Sequence, residues 1–362
     1  MSTSGIGLVL ALTPHRFPGL NIIGLTIFLM DLVFFIFTTI AITLRFIIHR
    51  RTFRKALTHP TEALFIPTFF LSVAAILSSI EVYGDIFLHG AAQAGIHRFL
   101  GAVFWVYLAV TFAISVLQYH LLSTVKEERR LNANSITPTW ILPIFPLMLS
   151  GTLAGLMSRF QPADQAMSML CAGLAAQGLG ILVSIFMYST YLSRLLTWGL
   201  PYQRPGMFIA VGPPSFTAVA LVSMASDVPR VFAESNHSTI SSLVGLGDSE
   251  TLAAGIRLLA ICFAVFLWGL AFFFFASATA AVLVGMPDRK FHLSWFSFVF
   301  PNVGFAMASF RMGEALNSNG VLWIGTVMTI ALVVAWLFIC YRCVRAVYKR
   351  EIVWPGHDED SI

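Results

Sequence analysis

Phe65-Ile66-Pro67-Thr68-Phe69-Phe70 puts a proline in the middle of a membrane-length apolar segment. The pattern recurs at Leu142-Pro143-Ile144-Phe145-Pro146, at Gly212-Pro213-Pro214-Ser215-Phe216 and at Phe300-Pro301-Asn302, while the long apolar runs between these carry no internal proline. A proline inside a helix removes one backbone hydrogen bond and clashes with the carbonyl four residues back, so in lipid the freed group needs protein, a hydroxyl or water beside it. Helices kinked at Pro67, Pro143, Pro146, Pro213, Pro214 and Pro301 therefore belong inside a bundle, and the straight helices that alternate with them form its wall. The pattern describes a repeated two-helix unit around a central pore.

Composition supports this. The 362 residues are 57% hydrophobic and 11% charged, with a mean hydropathy of +0.82, where soluble domains are about 45–50% apolar and about 25% charged. The chain reads as an all-α polytopic membrane protein. Cys171, Cys262, Cys340 and Cys343 all lie in or beside apolar runs, which gives neither an extracellular disulfide framework nor a zinc site. The net charge of +5 follows from topology, as below, so no nucleic acid partner is implied. The sequence has no P-loop, HExxH or GxSxG motif and no paired carboxylates in a plausible cleft. The expectation is no enzyme, no cofactor and no metal, with any uphill transport driven by an ion or proton gradient.

A bilayer span needs about 20 apolar residues. Helices are expected near 19–48, 60–88, 96–124, 139–158, 165–198, 206–225, 251–286, 291–315 and 319–347, after a short apolar stretch at 5–13 that reads as a truncated first helix. Residues 1–348 form one transmembrane domain and 349–362 a short tail. With 5–13 counted as helix one, the joints after helices two, four, six and eight and the C-terminal end hold Arg50, Arg51, Arg54, Lys55, Lys126, Arg129, Arg130, Arg194, Arg204, Arg289, Lys290, Arg342, Arg345, Lys349 and Arg350. The opposite joints hold Arg16, Arg98, Arg159 and Arg230. Fifteen against four places the C-terminus in the cytoplasm. The glycosylation sequon Asn236-His237-Ser238 then falls in an outward loop, 226–250.

Charge within the hydrocarbon costs about 2.5–3.5 kcal/mol per residue, so Asp31, Glu81, Asp85, Arg311 and Glu314 each call for a reason. Arg311 and Glu314, spaced i, i+3, either pair at a helix end or leave Arg311 to offer a bidentate guanidinium to a carboxylate substrate. Glu81 and Asp85 share a face and read as partners of basic residues or a solvated helix end. Asp31, on an outer helix, points inward to a partner. His59-Pro60-Thr61-Glu62 reads as a helix start, with proton sensing by His59 or Glu62 as the alternative. Thr68, Ser215, Thr217 and Asn302 stand beside the prolines; they either solvate an anion or satisfy carbonyls freed by the kinks. On the last kinked helix Phe296, Phe298, Phe300 and Phe305 offer rings that could plug a narrow path.

Three ordered stretches carry a specific resemblance: Thr13-Pro14-His15-Arg16-Phe17, Leu57-Thr58-His59-Pro60-Thr61-Glu62-Ala63-Leu64-Phe65-Ile66-Pro67-Thr68-Phe69-Phe70, and Arg204-Pro205-Gly206-Met207-Phe208-Ile209 running into Val211-Gly212-Pro213-Pro214-Ser215-Phe216-Thr217. With the repeat, they make the chain resemble the tellurite-resistance/dicarboxylate transporter family, which shares its fold with the slow-type anion channels, and within it the fungal malic acid transport proteins. The resemblance spans Met1 to about Tyr348. It implies ten helices in five hairpins around a central pore, odd helices inside, and homotrimers with one pore per subunit. It also implies occlusion by a phenylalanine matching Phe300, with Phe298 the second choice.

The expected function is transport of malate or a related C4-dicarboxylate anion through the lipid bilayer of the plasma membrane, coupled to protons. Arg311, Thr68, Ser215, Thr217 and Asn302 would bind the substrate. A sulfite efflux carrier or a passive small-anion channel is the alternative on the same scaffold. The short start leaves open a chain that only assembles with full-length subunits.

Overall fold

The structure is a computed structural model that describes residues 1–49, 53, 56–57, 59–125, 131–234, 249–288 and 290–352. Arg50, Arg51, Arg54, Lys55, Lys126, Arg129, Arg130, Arg289, the Asn236-His237-Ser238 sequon and the tail from Val353 onward lie outside these residues.

Among the described residues ten helices make up the bundle: α1 (Ser2–Leu12), α2 (Leu20–Ile48), α3 in two pieces (Pro60–Phe65 and Thr68–Phe87), α4 (Gly90–Thr124), α5 (Phe145–Met157), α6 (Ala163–Trp198), α7 (Gly212–Glu234), α8 (Ser249–Leu283), α9 (Phe300–Ala315) and α10 (Asn319–Tyr348). No strand occurs among the described residues. Tight 3₁₀ turns lead into three inner helices: Pro138–Ile141 before α5, Arg204–Val211 before α7 and Leu293–Phe298 before α9. Apart from the short α1 and the α5 region, each helix with its lead-in is long and apolar enough to cross a membrane.

Burial alternates along the chain as the prolines foretell. The most apolar stretches of α7, α9 and α3 are 94, 72 and 56% buried, against 11% for α2, 22% for α8, 33% for α4 and α10 and 39% for α6. The odd helices close a ring: α1 packs on α3, α3 on α5, α5 on α7, α7 on α9 and α9 on α1. Each even helix lies in the seam between its own hairpin partner and the next inner helix, with α10 between α9 and α1. The fold is thus five hairpins around a centre.

The prolines act differently from the expected kinks. Pro67 separates the two pieces of α3, and Pro143 lies in the turn between a 3₁₀ segment and α5. Pro146, Pro213, Pro214 and Pro301 sit in the first turns of their helices. A first-turn N–H has no helical partner to lose, so proline restarts a helix there at little cost, and the rods of α3, α5, α7 and α9 are broken helices, not bent ones. One proline does sit inside a helix. α7 runs past the expected end at 225 through Pro229 to Glu234, held by Arg230, which pairs with Asp227 at 2.8 Å and Glu234 at 3.0 Å. α4 begins at Gly90 rather than 96.

Small residues let the helices approach. Tyr83 Oη donates to the Gly7 carbonyl at 2.6 Å, and a Cβ on Gly24 would meet that hydroxyl, so α1, α2 and α3 join through two glycines. A Cβ on Gly173 of α6 would collide with Ala154 Cβ of α5. Gly173→Val is therefore expected to destabilise the protein by about 1–3 kcal/mol through overpacking. Thermal unfolding in detergent checks this, and an unchanged midpoint would reject the close α5–α6 contact.

Candidate anion pathway

All five inner helices contribute to one central cavity. Gly5 of α1, Ser78 of α3, Thr152 of α5, Phe216 of α7, and Phe300 and Val303 of α9 line it. Its free volume is about 20 Å³, room for roughly one water. A four-carbon dicarboxylate does not fit in it.

Two of the lining side chains are rings, Phe216 and Phe300, and Phe145 packs behind them. Phe300 stacks on Phe216 with centroids 5.4 Å apart, and Phe145 of α5 stands 5.8 Å from Phe216 and 6.3 Å from Phe300. Glycines make the seats for these rings: a Cβ on Gly212 would fall 2.6 Å from Phe145 Cζ, and one on Gly304 2.6 Å from Phe216 Cε2. Phe298 packs elsewhere, against Phe208 at 5.1 Å and Trp295 at 6.4 Å, and is not part of the cavity wall. Phe305 is buried among Trp268, Phe272 and Phe275, and Phe296 meets Phe291.

The hydroxyls beside the prolines bond to backbone. Thr68 Oγ1 donates to the Phe65 carbonyl at 2.6 Å, Ser215 Oγ to Val211 at 2.6 Å and Thr217 Oγ1 to Pro213 at 2.7 Å, and Asn302 Nδ2 donates to Phe298 at 2.9 Å. Thr217 Oγ1 also accepts from Gln177 Nε2 at 2.7 Å. Each bond runs to a carbonyl three or four residues back, and none of the four residues lines the cavity. The carbonyls that Pro67 and Pro214 free, those of Ala63 and Ala210, accept instead from Gln118 Nε2 of α4 and Tyr188 Oη of α6. Asn302 Oδ1 is buried without a hydrogen-bond partner among the described residues. The hydroxyl-bearing residues on the cavity are Ser78 and Thr152, which stand in helix interiors with no proline beside them to mark them.

The charged candidates sit toward the helix ends, Asp31 excepted. Arg311 donates to Glu314 Oε2 at 3.1 Å at the exposed end of α9, about 16 Å along the axis from Phe300. Asp31 is buried on α2, with the Met1 amine 3.5 Å from Oδ1. Asp85 pairs with Arg159 at 3.3 Å and accepts from Gln93 at 3.0 Å, while Glu81 meets His97 of α4 at 3.0 Å. His59 caps α3, its Nδ1 accepting the Glu62 N–H at 3.4 Å. At the same end as His59, Arg194 donates to Asn134 at 3.2 Å, and Arg204 donates to the carbonyls of Ala281, at 2.7 Å, and Gly285. In the α8–α9 loop the Lys290 N–H, donating to Asp288 at 2.8 Å, holds the Asp288 carboxyl below the usual carboxylate range.

Residues 1–344 match the family profile described as voltage-dependent anion channel (SLAC1). The malic acid transport protein of Schizosaccharomyces pombe is 32% identical over 100% of this chain and 80% of its own length. A putative malic acid transport protein of the same yeast is 36% identical over 99% of this chain and 80% of its own. The sulfite efflux pump SSU1 of Trichophyton rubrum is 24% identical over 94% of this chain and 86% of its own.

Proposed function

Because the chain belongs to the voltage-dependent anion channel family, and so is a multi-pass membrane protein of an anion-transporting fold rather than an enzyme, we propose that it carries malate or a related C4-dicarboxylate. Two malic acid transport proteins match it at 32 and 36% identity across nearly the whole chain, against 24% for the sulfite pump, and this difference is the observation that carries the substrate class. Phe300 is the gate, with the anion crossing where its ring now closes the cavity. Protons move with the anion; the sequence holds no nucleotide motif, so uphill movement draws on an ion or proton gradient. The carrier works in the plasma membrane as a homotrimer, with the cytoplasmic C-terminus that the basic joints support.

Arg311 receives the substrate carboxylate at the mouth, in exchange for Glu314. Arg311→Gln is expected to raise the half-saturating malate concentration by about tenfold or more, since a hydrogen bond to a charged group is worth about 1.5–3 kcal/mol. An unchanged value would leave the Arg311–Glu314 pair a helix-end contact only. The substrate class is tested by uptake of labelled malate into proteoliposomes under an imposed pH gradient, with excess succinate or sulfite as competitor. Uptake that needs the gradient and yields to succinate is expected. Competition by sulfite alone would assign the chain to sulfite efflux, and gradient-independent flux would make it a passive anion channel.

A further inference from the structure

Glu81 of α3 and His97 of α4 are 1 and 4% exposed, with Glu81 Oε1 3.0 Å from His97 Nδ1. The second polar atom of each, Glu81 Oε2 and His97 Nε2, is buried without a hydrogen-bond partner among the described residues. The imidazole is held firmly for a group with a free nitrogen. Phe160 lies flat against it, centroids 3.7 Å apart and planes 5° from parallel, and the His97 carbonyl accepts Gln161 Nε2 at 2.8 Å. Gln161 fits only because position 101 is glycine, where a Cβ would fall 2.6 Å from its Oε1.

The charges around the pair are already matched to one another. Asp85 on α3 and Arg159 on the segment after α5 are paired at 3.3 Å, and Arg159 also lies over the Phe160 ring. On α7, Arg230 is paired with Asp227 and Glu234 and donates to the carbonyls of Gln161 and Ser158. A buried carboxylate with no cation of its own is costly, and one proton shared with the imidazole makes the Glu81–His97 pair neutral. The pair thus has two charge states one proton apart, with free atoms at which that proton enters and leaves. It also sits beside the pathway: Ser78, on the cavity wall, lies one helical turn from Glu81 on the same face of α3. The cavity lining has no ionisable side chain among the described residues, and the His59 ring is used to cap α3.

We infer that the Glu81–His97 pair is the proton-binding site of transport. It takes up one proton on the loading side and releases the same proton on the other side in each cycle, while the anion crosses through the adjacent cavity. This rests on the proton-coupled reading of the function above.

The test measures malate accumulation in proteoliposomes with the membrane potential clamped and about one pH unit imposed, where one coupled proton gives about a tenfold concentration ratio. The wild type is expected to reach that ratio, and Glu81→Gln and His97→Gln to fall to no accumulation when normalised to their own malate counterflow. If the wild type does not accumulate malate, the proton-coupled reading fails and the site with it. If the wild type accumulates and both variants still do, coupling stands and the pair is overturned as its site. Should neither glutamine variant exchange malate, Glu81→Asp decides. It keeps an acid but shortens its reach to His97, and is expected to shift the pH midpoint of accumulation; an unshifted profile overturns the assignment.

Discussion

Malate efflux through Phe300→Ala is expected to exceed wild type by at least about tenfold, which requires a closure barrier of only about 1.4 kcal/mol to be lost. The cavity that Phe300 helps to wall holds about 20 Å³, and truncation to alanine opens a ring-sized space directly onto it. The interior of the ring is tightly packed, so neighbouring side chains refill that space only in part. Efflux of labelled malate from preloaded vesicles measures the effect at matched protein content. Phe298→Ala is the informative contrast. Its ring packs on Phe208 and Trp295 away from the cavity, so the same truncation two residues earlier is expected to leave efflux at the wild-type level. Equal rates for Phe300→Ala and wild type would place the constriction elsewhere; a rise in Phe298→Ala instead would move it to the 3₁₀ segment before α9.

The fold was legible because two independent periodicities combine. Span-length hydropathy places the helices, proline at every second apolar segment requires inner and outer ones to alternate, and the burial of α3, α7 and α9 against α2, α4, α6, α8 and α10 follows that order. The ends of helices were harder to read. Gly90-Ala91-Ala92-Gln93-Ala94-Gly95 has no strong apolar repeat, yet it starts α4. Ser226-Asp227-Val228-Pro229-Arg230 looks like a loop, but the i, i+3 and i, i+4 ion pairs of Arg230 carry α7 through it. Phe300 is singled out by the family resemblance, which matches it just before Pro301; the residues alone leave Phe296, Phe298 and Phe305 beside it. Phe145 and Phe216 are not singled out, because what makes them matter is that α5, α7 and α9 meet, and the glycines that seat them lie on other helices in one case and after another proline-led break in the other. Glu81 and His97, sixteen residues apart on different helices, likewise become a pair only when the α3–α4 hairpin closes.

Phe216→Ala is expected to raise malate efflux nearly as much as Phe300→Ala, and the double variant to add little. Phe300 is stacked on Phe216, and such ring pairs contribute about 0.5–1.5 kcal/mol beyond the area they bury. Without Phe216, Phe300 loses the surface that fixes its position. The space behind is not refilled, because Gly304 presents no side chain where the Phe216 ring lay. Groups that act through one contact give strongly non-additive effects, whereas independent barriers multiply. A double variant whose gain equals the product of the two single gains would therefore make Phe300 a gate in its own right, with Phe216 a separate wall. Gly304→Ala tests the same contact from the opposite side. Its Cβ, 2.6 Å from Phe216 Cε2, must push that ring off its seat toward Phe300 or Phe145, and efflux is expected to fall below wild type as the three rings are pressed together.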